Sequence, residues 1–180
     1  MRGRILTGFL FVVALGLGAL NIQVLNAHQW GSWHWEKSTI QMYVYGTHQA
    51  EAKAAIKDWD DHTQLSLPLR TSHTDVSVWG GNWGKTGWSG LAEIKESSFD
   101  WWHKWCWCRI EHAHARYNSY YVFSTGTGTN SGSRGIFCQE VGHTFGLDHS
   151  ATGSCMAKTY YSPSSNVSNS HDWSDVNAMY

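Results

Sequence analysis

The sequence predicts an α+β domain. Segments with strand and helix patterns follow one another as strand, helix, strands, helix, loop, helix. A single helix falls early among the strands, so the regular alternation of a doubly wound sheet is missing. A length of 180 residues suits one domain with a real core and is short for two.

The chain opens with Arg2 and Arg4 and an apolar run from Ile5 to Leu20. A basic start, an apolar stretch short for a membrane span and a small residue at Ala27 read as a secretory leader. Leu25 at the −3 position is not the ideal residue for cleavage after Ala27, and an uncleaved anchor is the alternative. Residues 1–27 are assigned to the leader and 28–180 to the secreted domain. His28–Lys37 is an aromatic lead-in without periodicity. Thr39–Tyr45 alternates apolar and polar residues and predicts a strand. Gln49–Gln64 is rich in helix formers and carries Ala52, Ala55, Ile56 and Trp59 on one stripe. Asp75–Trp79 predicts a second strand, Gly80–Gly90 a glycine-rich loop, and Leu91–Lys95 a short strand.

Phe99–Trp105 has no clear assignment, whereas Trp107–Phe123 holds a strand with a turn near Asn118. Ser124–Gly135 predicts a polar loop before a helix over Gln139–Leu147. The segment after Met156 is loop-like, and a short last helix is expected with Asp172 as its N-cap. Asn166-Val167-Ser168 fits a glycosylation acceptor, relevant in a host that glycosylates.

Charge and composition exclude several functions. Losing the leader removes Arg2 and Arg4 and no acid, leaving 11 basic side chains against 14 acidic, a formal −3. A nucleic-acid binder is expected to show a basic face, so no nucleic-acid partner is predicted, nor a membrane partner once the leader is gone. The loop "GTGTNSGSRG" lacks the Lys-Ser/Thr ending of a phosphate-binding loop. All 12 Trp lie beyond the leader, a load that fits core and surface anchoring. A sugar-stacking surface built on Trp79, Trp83 and Trp88 is the binding-module alternative.

The chemistry concentrates in "QEVGHTFGLDH", Gln139–His149. On a helix Gln139 and His143 stand at i and i+4 on one face, with Glu140 beside them. Gly146 tolerates the left-handed conformation of a sharp exit, which can swing His149 back toward that face. Imidazoles converging in this way suit Zn²⁺, with a position left for water. The bland alternative is an amphipathic helix with two unrelated histidines.

This stretch resembles the metzincin zinc peptidases, closest to the matrixin-like group, and departs from their motif at one residue: Gln139 stands where the family has a His. "SCMAK" looks like the Met-turn, with Met156 as an apolar floor beneath the metal. "SGLAEI" is similar to the strand flanking the substrate, and "DWSDVNAMY" to the final helix. The resemblance implies a twisted mixed β-sheet with a backing helix and an active-site helix, then a small C-terminal subdomain with the Met-turn and a last helix.

It also implies Zn²⁺ held by Gln139, His143 and His149, and Glu140 as general base. An extended peptide or protein substrate would lie along Gly90, Leu91 and Ala92, the expected product being hydrolysed peptide. A monomer is expected. A cysteine-switch propeptide is not, because too few residues precede the first strand. Of the three possible pairings of four cysteines, Cys138–Cys155 is favoured, since it would tie the start of the motif helix to the Met segment. Cys106 and Cys108 would then close a small ring or remain thiols.

Gln139 leaves three readings open. It ligates through its amide oxygen, a poorer zinc donor than imidazole; or it does not ligate and the site is a pseudoenzyme; or another residue, His112 or His114, takes its place. The company of Glu140, Gly146, His149 and Met156 favours altered coordination over decay.

Overall fold

The computed structural model describes residues 28–123, 130–150, 153–158 and 166–180. Residues 1–27, predicted to be a leader, and the start of the polar loop, 124–129, lie outside the described residues. The chain folds as a mixed α+β domain. Its strands are β1 (Met42–Gly46), β2 (Leu69–Arg70), β3 (Val76–Gly81), β4 (Gly90–Asp100) and β5 (Cys106–Asn118). Its α-helices are α1 (Gln49–His62), α2 (Asn130–Thr144) and α3 (Ser170–Met179), and a 3₁₀ turn covers Ser119–Phe123.

The five strands form one sheet in the order β2-β1-β3-β5-β4. β2, β1, β3 and β5 run parallel, and β4 pairs antiparallel with β5 at the edge. The predicted α1 stripe is the buried one: Ala52, Ala55, Ile56 and Trp59 all face the core. Helices α1 and α2 pack against each other and on one face of the sheet, enclosing Val76, Val78, Ala113, Ala115, Tyr117, Phe137 and Phe145.

Register irregularities on either side of Glu96, where Glu96 pairs with His112 and Ser97 with Ile110, reset the alternation of β5. Ile110 faces the core before them; after them Ala113, Ala115 and Tyr117 do, while His112, His114 and Arg116 lie on the other, half-exposed face. This parity change decides which β5 side chains reach the helices.

Several sequence expectations are corrected. The strand predicted at Leu91–Lys95 runs on to Asp100, because the aromatic segment after it forms the tip of the β4–β5 hairpin rather than a separate loop. Asn130–Gly135, expected in the polar loop, belongs to α2, which ends at Thr144 instead of Leu147. Asp172 is not the N-cap of α3. Asn169 is: its side chain accepts from the His171 and Asp172 amides, while the Asp172 carboxylate accepts from the Asn169 amide. Asp172 at the third helical position completes this reciprocal box.

The lead-in His28–Trp35 is more than a tail. It crosses the exit of α2, with the Trp30 amide donating to Gly146 O at 2.7 Å and the Trp35 indole to Thr144 O at 2.8 Å. Gly146 has φ +91°, and a Cβ there would collide with the Trp33 carbonyl. Both the left-handed turn and the crossing strap therefore require glycine. Asp58 ties the C-terminal segment to α1 by accepting from the amide and hydroxyl of Ser168.

Candidate active site

Helix α2 supplies the centre of the site. Its core side is anchored by Phe137, Cys138 and Val141, which leaves Gln139, Glu140 and His143 on the adjoining stripe, all buried. At Gly142 the helix meets its surroundings without a side chain: a Cβ there would lie 2.5 Å from Met156 Sδ and 2.9 Å from the Trp59 ring. Met156 is thereby seated directly under α2, 1% exposed.

The Met segment is held from several sides. Cys155 is bonded to Cys138, the Cys155 amide donates to Val167 O, and Ser150 pairs with Ala157 as an isolated bridge. A 17-residue closure of this kind contributes roughly 3 kcal/mol through the unfolded chain. Cys106 and Cys108 are bonded to each other, the small-ring alternative.

Gly146 turns the chain so that His149 comes back over His143. Their rings lie 4.7 Å apart at 86°. His143 Nδ1 stands 2.8 Å from Leu147 O. A carbonyl accepts only, so Nδ1 carries the proton and donates, and Nε2 keeps its lone pair. Burial pushes the His143 pKa down to about 4, so the ring is neutral near pH 7. This is the ligand form of imidazole, oriented by a backbone acceptor as metal-bound histidines commonly are.

These rings open on a cleft of about 230 Å³ lined by Trp30, Gly90, Leu91, Ala92, Glu140, His143, Asp148 and His149. The start of edge strand β4 thus borders the same space as Glu140. The fit is close, because a Cβ at Gly90 would collide with the Glu140 carboxylate. Among the described residues β4 pairs on one side, with β5, so its other edge keeps main-chain donors and acceptors for an added strand.

Gln139 takes a different position. It is 3% exposed, and its side-chain amide nitrogen donates to Ala157 O at 3.0 Å. It is not among the residues that line the cleft, and its amide is fastened to the Met segment. Since Ala157 O can only accept, the contact commits the amide nitrogen and leaves Oε1 as the donor atom. His112 and His114 do not stand in for it: they lie on the sheet face away from α2.

No sequence pattern pointed to Trp30, whose ring lies 5.8 Å from that of His143, or to Asp148 as cleft residues. The one available signal was the density of Trp in the lead-in. The glycine-loop tryptophans engage one another and their neighbours, although Trp83 is 36% exposed. Trp79 stacks on Tyr45, Trp83 leans on Trp88, and the Arg116 guanidinium lies over both Trp79 and Trp88. The freely exposed tryptophans are Trp101, Trp102, Trp105 and Trp107 at the β4–β5 tip.

No protein-family model and no curated protein matches the chain. Among solved structures it is similar to that of myroilysin, with a TM-score of 0.41 and 14% identity, covering 67% of this chain and 54% of that one. It is also similar to High choriolytic enzyme 1, a hatching enzyme zinc-protease of the medaka fish Oryzias latipes. That match has a TM-score of 0.35 and 17% identity, covering 66% of this chain and 50% of the other. The chain spans about half the length of each.

Proposed function

We propose that the chain is a secreted, zinc-dependent endopeptidase. The observation that carries this reading is the meeting of four features on one cleft: the Glu140 carboxylate, the His143 and His149 rings, and the open edge of β4 at Gly90–Ala92. The donor set fits the metal. Two imidazoles converge, His143 with Nε2 unprotonated, and Gln139 Oε1, one helical turn before His143, is the third donor this reading assigns.

Bound there, zinc supplies an acidified water and polarisation of a carbonyl. The chain's own residues do the rest. Gly90–Ala92 orients an extended peptide by main-chain pairing. Glu140 takes a proton from the attacking water on its carboxylate and delivers it to the departing amine. Trp30 and the Gly90 backbone crowd the carboxylate and the rings, which limits bulk water. The Ala157 contact orients the Gln139 amide, the part a backbone carbonyl commonly plays toward a ligand side chain.

The pseudoenzyme alternative predicts zinc binding without hydrolysis. The purified chain is expected to cleave casein, and a chelator to stop the reaction. Casein left intact by the zinc-replete protein would refute the peptidase reading. Gln139→His is expected to tighten zinc by about tenfold, about 1.4 kcal/mol, because imidazole is the better donor. Competition with a chromogenic chelator measures this, and an unchanged affinity would remove position 139 from the ligand set.

A further inference from the structure

A second group of histidines stands apart from the cleft. His73 precedes β3, while His112 and His114 are alternate residues of β5 on the face turned away from α2. One ligand nitrogen from each ring lies within 4.8 Å of those of the other two. The ring centroids are 4.5 Å apart for His73 and His112, 4.9 Å for His112 and His114, and 6.2 Å for His73 and His114.

We propose that His73, His112 and His114 form a second metal site, which takes one Zn²⁺ ion with water completing the shell.

Three features distinguish this group from chance aromatic packing. His112 Nε2 is buried and has no hydrogen-bond partner, a costly state for a polar atom that a metal bond would relieve. The Ser77 hydroxyl meets His73 Nδ1 at 3.0 Å and fixes that ring, as outer-shell partners of metal ligands do. Among the described residues none of the three histidines forms an ion pair, so no carboxylate explains why they gather.

The surroundings are known on each side. Glu93, opposite His114, is ion-paired with Arg116; Trp79 packs edge-on against His114; Lys95 and Glu96 lie across on β4. Three imidazoles and no carboxylate favour Zn²⁺ over Ca²⁺ or Mg²⁺. All four cysteines are in disulfides, so no thiolate competes for the ion. Because His73 belongs to the loop ahead of β3 and the other two to β5, the ion would clamp that loop to the sheet. The site rests on none of the cleft residues.

The test uses the full chain with His143 and His149 both changed to Ala, stripped with a chelator and titrated calorimetrically with zinc chloride alone. One zinc per chain is expected, and the further change His73→Ala is expected to abolish it. His73 is exposed and outside the strands, so this change spares the fold, which near-UV circular dichroism verifies. Ser77→Ala is expected to weaken the zinc by about tenfold. No zinc bound by the His143/His149 variant, or an affinity unaltered by His73→Ala, overturns the site. Native mass spectrometry of the otherwise unaltered chain gives a second reading free of the cleft substitutions. The His73→Ala protein is expected to carry one zinc fewer than its parent, and equal counts overturn the proposal whether or not the chain cleaves casein.

Discussion

Glu140→Gln is expected to slow casein hydrolysis by about 10²–10⁴-fold, the usual worth of a positioned general base. The amide matches the carboxylate in shape, so the close approach to Gly90 survives, and only the capacity to take a proton is lost. Zinc content should stay level, because Glu140 is not among the donors assigned to the metal. Initial rates of wild type and variant, paired with metal analysis, decide the matter. An undiminished rate at equal zinc loading would strip Glu140 of its role. A parallel fall in both quantities would show damage to the metal site instead.

Trp59→Ala is expected to cost about 3–5 kcal/mol of stability, the range for emptying a buried aromatic site. Trp59 is fully buried, and it joins three parts of the molecule. Its indole N–H donates to Cys138 O at 3.0 Å, its ring meets Phe145 edge-on at 5.9 Å, and it packs where Gly142 opens space beside Met156. Truncation leaves a cavity between α1 and α2 and removes the second hydrogen bond, beside the helical one, from a carbonyl on the very turn that carries Gln139. Urea unfolding followed by circular dichroism measures the loss as a lower midpoint at unchanged slope. A shift below about 1 kcal/mol would mean that the site collapses around the missing ring. Because this indole supports α2 from behind, zinc affinity is expected to fall with stability.

Local patterns were legible where one face of an element had to be apolar. The α1 stripe and the β1 and β3 alternations are encoded by side-chain periodicity, which burial against a flat neighbour imposes. Capping was harder to read: Asn169 and Asp172 both suit an N-cap, and only their reciprocal hydrogen bonds show which one starts α3. The β4–β5 hairpin escaped detection past Lys95. Its tip is so rich in exposed aromatic residues that no polar-apolar alternation marks the strands. The β5 bulge was equally invisible, since an extra residue in a strand leaves no compositional trace.

The spacing of Gln139, Glu140, His143, Gly146 and His149 was fixed by the sequence alone, because one helical turn followed by a glycine exit determines which side chains can converge. The closeness of Met156 was an expectation from the resemblance and from the favoured Cys138–Cys155 pairing, and that bond is formed in the structure. Tertiary structure alone decided the rest. Trp30 reaches the cleft because residues far upstream strap the exit of α2. Gln139 turns its amide nitrogen to Ala157 because a backbone carbonyl of the Met segment happens to face it. His73 meets His112 and His114 because parallel pairing of β3 with β5 brings the two chain segments side by side. Each is a contact between segments distant in sequence, set by packing and pairing geometry, which a linear pattern does not record.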